Sequence, residues 1–218
     1  MNRIATIMAS LSQAKTLGGI GGILALLFWL PAHVGIVLLI AGLVLMLFAV
    51  KNIADTVGDQ TIFSNMTYSV VLAIIGPIIA TVVLLAAAAS LFSAFSGFTP
   101  GTMTIPSGFW AALGFVVLAG VILWVCILIS TVFVKRSYDA IALKLRVDMF
   151  RTTGLLFLIG AATLIALVGF VILFIAAILQ IVAFFSIPEQ VPLQMPPQQV
   201  WGPPMPPAPM PPSQAPTQ

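Results

Sequence analysis

Residues 17–50, LGGIGGILALLFWLPAHVGIVLLIAGLVLMLFAV, decide the fold of this chain. As one helix, this block would be about 51 Å long, whereas the hydrocarbon core of a bilayer is about 30 Å thick. Pro31, His33 and Gly35 interrupt the apolar run near its middle, and proline with glycine is typical of a tight turn. We therefore interpret the block as two antiparallel helices joined by a turn.

The composition of the whole chain is that of a membrane protein. Of its 218 residues, 61% are hydrophobic and 6% are charged, against about 45–50% and roughly a quarter in soluble domains. These values exclude a soluble globular enzyme. The net charge of +3 comes from eight basic and five acidic side chains, and no run of Lys or Arg could follow a phosphate backbone. The expected partner is the lipid bilayer, and no nucleic acid is expected to bind.

Three further apolar blocks follow, at 67–95, 108–134 and 154–185. The first two are each one helix long, and the last has a weaker break at Val168-Gly169. The sequence therefore predicts an all-α protein, a polytopic transmembrane bundle of six helices in which two helical hairpins flank two longer spans. The predicted transmembrane domain is 1–187, with spans at about 14–31, 34–50, 67–95, 108–134, 152–167 and 169–186.

The thirteen charged residues determine the expected topology. A six-span count places all of them on one side of the membrane, as the positive-inside rule predicts for a multi-pass cell-membrane protein with cytoplasmic N- and C-termini. The arms 17–30 and 154–167 are short for full spans. The alternative is that both hairpins are wedges, which enter from the cytoplasmic side and return without crossing. The charges do not separate the two possibilities.

The polar segment 135–151 is predicted to be a helix that continues the fourth span or lies at the membrane surface. Lys135 with Asp139, and Lys144 with Asp148, are spaced four residues apart, which favours ion pairs along one helical face.

An internal repeat is suggested when 34–53 is placed over 168–187. Seven of the 20 aligned residues are identical, including Gly35 with Gly169 and Ala49 with Ala183. Because both segments draw on few residue types, three or four identities would be expected by chance. A parallel repeat of hairpins and a coincidence of membrane composition both remain open.

Several short segments resemble one known family. They are LGGIG at 17–21, IAD at 53–55 followed by Ile62-Phe63, KRSYDA at 135–140, FRTTGLLFLIGA at 150–161 and AFFSI at 183–187. Together they resemble the archaeal membrane-protein family catalogued as domain of unknown function 996, over roughly residues 11–187. The resemblance implies an archaeal membrane location and multiple helices, and it brings no assigned activity.

Chemistry-bearing residues are scarce inside the predicted spans. Apart from Lys15 at the cytoplasmic edge of the first span, no charged side chain lies there, although such residues usually mark function within a membrane. We therefore predict no catalytic, cofactor or metal site and no enzymatic activity. Gln180 is the most unusual polar residue, because an amide in the sixth span needs a partner on another helix. We interpret it as an interhelical polar contact, with a substrate contact as the alternative.

The last part of the chain, 188–218, is predicted to be a disordered Pro/Gln-rich tail, because twelve of the 16 prolines lie there. Pro203, Pro206, Pro209 and Pro212 keep the three-residue spacing of a polyproline ligand, and Trp201 could anchor a contact. The tail could dock a cytoplasmic polyproline-reading protein or be a solvated spacer.

Two functions fit these features. The first is a non-enzymatic membrane-organising or partner-docking protein. The second is a channel or carrier for small uncharged solutes, suggested by the repeat and by a helix kink at Gly76-Pro77.

Overall fold

A computed structural model describes residues 2–30, 33–96 and 107–188 of the chain. These ranges form six α-helices and two short 3-10 turns, which confirms the predicted all-α class. The helices are α1 (Asn2–Leu26), α2 (His33–Val57), α3 (Gln60–Ser96), α4 (Ser107–Leu145), α5 (Asp148–Ala162) and α6 (Val168–Phe185), and the 3-10 turns are Leu27–Trp29 and Leu164–Ala166. The predicted docking residues of the tail lie outside the described residues.

The six helices form a ring. Each helix packs against the next one in the chain, and α6 closes the ring by packing against α1. The α1–α6 contact is antiparallel, because Gly18 lies against Phe184 whereas Gly22, further along α1, lies against the earlier residue Ile181. Chain connectivity makes the other neighbouring pairs antiparallel as well. The ring therefore consists of three hairpins, α1–α2, α3–α4 and α5–α6.

All charged residues of the described helices and turns lie towards one end of this ring, which we name the charged end. It contains the start of α1, the α2–α3 and α4–α5 connections and the end of α6. The opposite end, named the uncharged end, holds the turns within the α1–α2 and α5–α6 hairpins. The charge separation expected from the sequence is thus present in the geometry of the ring.

The connections follow from local backbone preferences. Leu30 is extended (φ −64°, ψ 138°) because the following proline disfavours a helical residue before it. At the α2–α3 connection, Gly58 has a φ of 70°, the left-handed conformation in which helices often end. Leu167, between the second 3-10 turn and α6, has a φ of 61° although it is not glycine.

The helix predicted over 135–151 continues the fourth span as far as Leu145, and the prediction is wrong beyond that residue. The helix is broken at Arg146, whose φ is 54°, so α4 ends at Leu145 and α5 starts at Asp148. The Lys135–Asp139 pair forms at 2.5 Å. The expected Lys144–Asp148 pair does not, because the break separates the two residues, and Lys144 Nζ instead lies 3.9 Å from a carboxylate oxygen of Asp59.

The internal repeat is supported by burial. Of the 20 residue pairs that align 34–53 with 168–187, 18 have the same degree of burial, and the exceptions are Ala41/Ile175 and Asn52/Ser186. Composition alone does not impose such agreement, because it does not decide which face of a helix is covered. Gly35 and Gly169 are also equivalent in packing: a Cβ at Gly35 would lie 2.2 Å from the Phe28 carbonyl oxygen, and one at Gly169 would lie 2.3 Å from the Gly160 carbonyl oxygen.

The three hairpins differ in reach. Trp124 of α4 donates a hydrogen bond to the Ala161 carbonyl oxygen at 3.0 Å, so the end of α5 is level with Trp124. From there α4 extends back to Ser107, about 25 Å further at 1.5 Å per residue. Beyond the end of α5, the connection to α6 adds only one 3-10 turn, which is roughly 6 Å long. The α3–α4 hairpin therefore extends about 20 Å beyond the α5–α6 turn.

The α1–α2 hairpin is also short. Gly22 of α1 is level with Ile181 of α6. From that level α6 extends about 20 Å to Val168, whereas α1 and its 3-10 turn end within about 12 Å, at Trp29. We refer to α1–α2 and α5–α6 as the short hairpins and to α3–α4 as the long hairpin.

Small residues hold the long hairpin together beyond the ring. Among the described residues of its outer part, those buried are the alanines Ala80, Ala87, Ala112 and Ala119, spaced seven residues apart on each helix. Such spacing forms a narrow stripe along which two helices approach closely. The larger apolar side chains point outward, and Phe92 is 78% exposed.

Four stretches of the described residues are long and apolar enough to cross a membrane by length and composition: Val34–Val57, Gln60–Ser96, Gly108–Leu145 and Val168–Phe185. The fold is thus compatible with a membrane protein.

Candidate ligand-binding cavity

A cavity of about 350 Å³ lies inside the ring, and residues of all six helices line it. It arises because each helix packs chiefly against its two neighbours, so that the centre is filled only by side chains. The lining is almost entirely apolar, with Leu43, Val70, Phe157 and Leu173 among its members. Cavities of about 300–1,000 Å³ with an apolar lining and a few polar groups are typical of sites for small molecules.

Towards the charged end the cavity is lined by Tyr138, whose ring packs against two further aromatic rings. Tyr138 of α4, Phe150 of α5 and Phe184 of α6 are all fully buried. Their ring centres are 5.2 Å apart for Phe150–Phe184, 5.4 Å for Tyr138–Phe150 and 6.4 Å for Tyr138–Phe184, and each pair packs edge to face. Edge-to-face pairs are favourable beyond their buried area. We call this end of the cavity the closed end.

The opposite end is more open. Phe28, Phe170 and Phe174 line the cavity near the turns of the short hairpins, and they are 46%, 51% and 47% exposed. At the closed end, by contrast, the lining residues Met46 and Met66 are buried. We call the exposed end the mouth. It faces the uncharged end of the ring, beside the outer part of the long hairpin.

Most hydroxyl groups in the wall already have partners. The hydroxyls of Ser69 and Ser130 are 2.9 Å apart, and Ser130 Oγ also lies 3.0 Å from the Ser69 carbonyl oxygen, to which it can donate. Thr131 Oγ1 donates to the Leu128 carbonyl oxygen at 2.9 Å. The Ser69–Ser130 contacts tie α3 to α4, the Thr131 bond is internal to α4, and all of them satisfy polar groups that would otherwise be costly to bury.

Two other polar groups in the wall are poorly satisfied. Gln180 of α6 is 6% exposed, and its amide nitrogen contacts Sδ of Met46 on α2, a weak acceptor. The hydroxyl of Tyr138 is buried and has no hydrogen-bond partner within the described part of the chain. Met46 and Gln180 are also equivalent positions of the internal repeat, so the two copies meet at this point.

Ionisable groups lie outside the cavity wall. No Lys, Arg, Asp, Glu or His is found among the described residues that line it. The best-defined charged site is in the α2–α3 connection, where Asp59 Oδ1 accepts hydrogen bonds from the Thr61 hydroxyl at 2.6 Å and from the Thr61 backbone N–H at 3.1 Å. The hydroxyl hydrogen bond is the main reason why the pKa of Asp59 lies below its usual value.

The fold and the cavity together define an all-helical protein that contains helices able to cross a membrane and an internal apolar site. The family model described as protein of unknown function (DUF996) matches residues 38–178. An uncharacterized protein of Methanocaldococcus jannaschii is 39% identical over 184 residues, which cover 84% of this chain and 96% of that protein. The chain therefore belongs to the DUF996 family, in agreement with the resemblance noted above. No solved structure matches it.

The sequence singled out one residue of this cavity, Gln180, because an amide in an apolar span is conspicuous. It did not single out Tyr138, which lies in a polar segment that the sequence assigns to the cytoplasmic side. A heptad plot of α3 and α4 would have placed Ser69 and Ser130 on the faces that meet. The docking residues predicted at Trp201, Pro203, Pro206, Pro209 and Pro212 stay a prediction.

Proposed function

We propose that this is a non-enzymatic integral membrane protein that organises the bilayer by filling its two leaflets unequally. In this proposal the long hairpin crosses the membrane, and the two short hairpins enter from the charged end and turn back inside the hydrocarbon. The observation that carries the proposal is the difference of about 20 Å in reach between the long hairpin and the α5–α6 turn.

The lengths fit one bilayer only if the short hairpins stop within it. From Val134, the last residue before the charged segment of α4, to Trp110 the helix is about 36 Å long, enough to cross a 30 Å core with some tilt. Trp110 would then lie at the far interface, where tryptophan is favoured. The turn of the α5–α6 hairpin lies only about 20 Å from the level of Val134.

The distribution of charge supports one orientation. The charged end would face the cytoplasm, since basic residues are retained on that side. Both termini would then be cytoplasmic, and the protein would be a multi-pass protein of the cell membrane. The four helices of the short hairpins, each about 10 Å across, would add roughly 300–400 Å² to the cytoplasmic leaflet alone. This added area favours curvature in which the cytoplasmic leaflet is on the convex side of the membrane.

Cysteine accessibility tests the topology. In a Cys126→Ala background, single cysteines replace Ser96 at the end of α3, Leu167 at the tip of a short hairpin and Lys144 at the charged end, and an impermeant maleimide is applied to each side. We expect labelling of Ser96→Cys only from outside and of Lys144→Cys only from inside. Leu167→Cys should react from neither side until the membrane is dissolved. External labelling of Leu167→Cys would instead show that the α5–α6 hairpin crosses the membrane.

Curvature sorting tests the function. Giant vesicles that carry the protein with its charged end outward are drawn into thin tethers. We expect the protein to be enriched in the tether, where the outer leaflet is expanded, and depleted when its orientation is reversed. A distribution independent of orientation would contradict a role in organising the bilayer.

We also propose that the tail docks a cytoplasmic polyproline-reading protein. The proline spacing at 203, 206, 209 and 212, next to Trp201, supports this role. The test compares proteins bound by the full chain, by a chain that stops after Ile187 and by a full chain with these four prolines changed to alanine. Loss of the same partner from both altered chains is expected, and identical partners for all three would remove the docking role.

A channel or carrier for small uncharged solutes is the second candidate, because the ring contains a central cavity. The fully buried aromatic rings of the closed end count against an open passage. Solute flux into proteoliposomes that falls when Pro77→Ala removes the proline of α3 would favour the carrier.

A further inference from the structure

We propose that the central cavity binds a neutral, membrane-soluble molecule that consists of an apolar chain ending in one hydroxyl or carbonyl oxygen. The molecule would enter from the hydrocarbon layer through the mouth, with its oxygen leading. Entry from the hydrocarbon layer rests on the proposed function, because the mouth opens into hydrocarbon only when the short hairpins turn back inside the bilayer; binding in the cavity itself does not.

The position of the mouth indicates from which surroundings the ligand enters. The mouth lies at the turns of the short hairpins, and the long hairpin continues past it with strongly exposed apolar side chains, among them Leu85 at 65% and Val117 at 60%. Surfaces of this kind are stable only in contact with lipid or with other apolar groups. The mouth therefore opens into hydrocarbon, and what enters it must dissolve there.

The apolar lining of the cavity favours an uncharged ligand. An ionised headgroup would need a counter-charge in such a site, and the described lining residues supply none. A pure hydrocarbon would fill the apolar part but would leave the closed end unsatisfied. At that end Gln180 has a sulfur atom as its described hydrogen-bond partner, and the buried Tyr138 hydroxyl has none.

An oxygen that reaches Gln180 would accept a hydrogen bond from its amide N–H, which sulfur accepts only weakly. The apolar chain would then extend past Leu173 and Ala177 to the mouth at Phe170 and Phe174. The cavity volume of about 350 Å³ is at the lower end of the range for small-molecule sites, which fits one slender chain.

Photo-crosslinking in proteoliposomes of the full chain tests the inference. The probe is a twelve-carbon alcohol that carries a diazirine, and it is compared with the same chain lacking the hydroxyl and with the corresponding sulfonate. We expect the alcohol to label peptides of α2 and α6 most strongly and the sulfonate not to label them.

Two variants locate the site. Ala177→Phe should fill the cavity and reduce alcohol labelling at least tenfold, whereas the matched change Ala88→Phe, on the exposed face of α3, should leave it unchanged. Gln180→Leu keeps the size of the side chain and should reduce alcohol labelling about tenfold while labelling by the hydrocarbon probe stays the same. If Ala177→Phe does not fold, as judged by its melting temperature, Ala73→Leu fills the cavity from α3.

Unchanged alcohol labelling in a folded cavity-filling variant would overturn the site. Equal losses for both probes in Gln180→Leu would overturn the role of the oxygen. External labelling of Leu167→Cys would remove both the unequal-leaflet proposal and entry from the hydrocarbon layer, whereas loss of alcohol labelling in Ala177→Phe would still place the ligand in the cavity.

Discussion

A helix of a short hairpin and a helix of the long hairpin contain equally apolar stretches, yet the two kinds of hairpin are stabilised by different contacts. Val168–Phe185 and an 18-residue stretch within Gln60–Ser96 both have a mean hydropathy of 2.8. The short hairpins bury large side chains, such as Phe184, towards the centre of the ring. Among its described residues outside the ring, the long hairpin buries alanines, and most of its large apolar side chains are exposed. Hydropathy thus reports that a helix prefers lipid or a protein interior, but not which of the two it contacts.

The largest expected difference between the two regions is at phenylalanine. Phe184→Ala should lower the free energy of unfolding by about 3–5 kcal/mol, because it leaves a cavity between Tyr138 and Phe150. Phe92→Ala, on the long hairpin, should cost close to nothing, since lipid replaces the lost contact. Unfolding of both variants in bicelles measures the difference. Equal losses would show that packing does not distinguish the two regions.

Glycine gives the next largest difference. Gly169→Ala should destabilise the fold by about 2–3 kcal/mol, because its Cβ would lie 2.3–2.5 Å from backbone atoms of Gly160 and Leu164, which cannot move without opening the turn. Gly35→Ala should destabilise the fold to a similar extent, because its Cβ would lie 2.2 Å from the Phe28 carbonyl oxygen. Gly120→Ala, on α4, meets no described atom within 4 Å and should be neutral or stabilising by up to about 1 kcal/mol. Thermal unfolding of the three variants distinguishes these outcomes.

A smaller effect is expected in the alanine stripe of the long hairpin. Ala87→Leu should cost about 1–2 kcal/mol, because a larger side chain pushes α3 away from α4. The exposed neighbour Ala88→Leu is the control. Hydrogen exchange should increase in the outer parts of α3 and α4, and the ring should keep its protection. Equal loss of protection in the ring would mean that the two regions unfold as one unit.

The smallest effect concerns the connection between a short and the long hairpin. The folded pKa of Asp59 is below its unfolded value, so the carboxylate contributes stability above the unfolded pKa, and that contribution is lost as the pH falls through the folded pKa. Thr61→Val removes the main donor and should raise the pKa of Asp59 towards its usual value. Lys144→Gln should raise it less, because Lys144 is 3.9 Å away. Carboxyl carbon chemical shifts followed by NMR measure both, and a larger shift in Lys144→Gln would contradict the assignment.

Much of the fold is predictable from the sequence because local signals are strong. The turns coincide with Pro31 and with Gly169, where a helix cannot continue or where two backbones approach closely. The break at Arg146 was missed, because arginine gives no sign of a left-handed backbone conformation. The four-residue spacing of Lys144 and Asp148 therefore led to the incorrect prediction of an ion pair on one helix.

The candidate site was less predictable. Gln180 could be identified from one residue, since an amide is rare in such a span. Tyr138 could not, because its burial depends on Phe150 and Phe184, which come from two other helices. Seven identities in 20 residues did not distinguish a repeat from coincidence. The comparison of burial between 34–53 and 168–187 supports the repeat.

The sequence by itself determined that the chain is helical, apolar and charged at one end, because these properties depend on composition and on residues close together in the chain. Only the tertiary structure decided how far each hairpin extends and that a cavity lies between all six helices. Those features depend on contacts such as Trp124–Ala161 and Gly22–Ile181, which fix the level of one helix against another. No local sequence pattern indicates how far one helix is displaced along its axis relative to its neighbour.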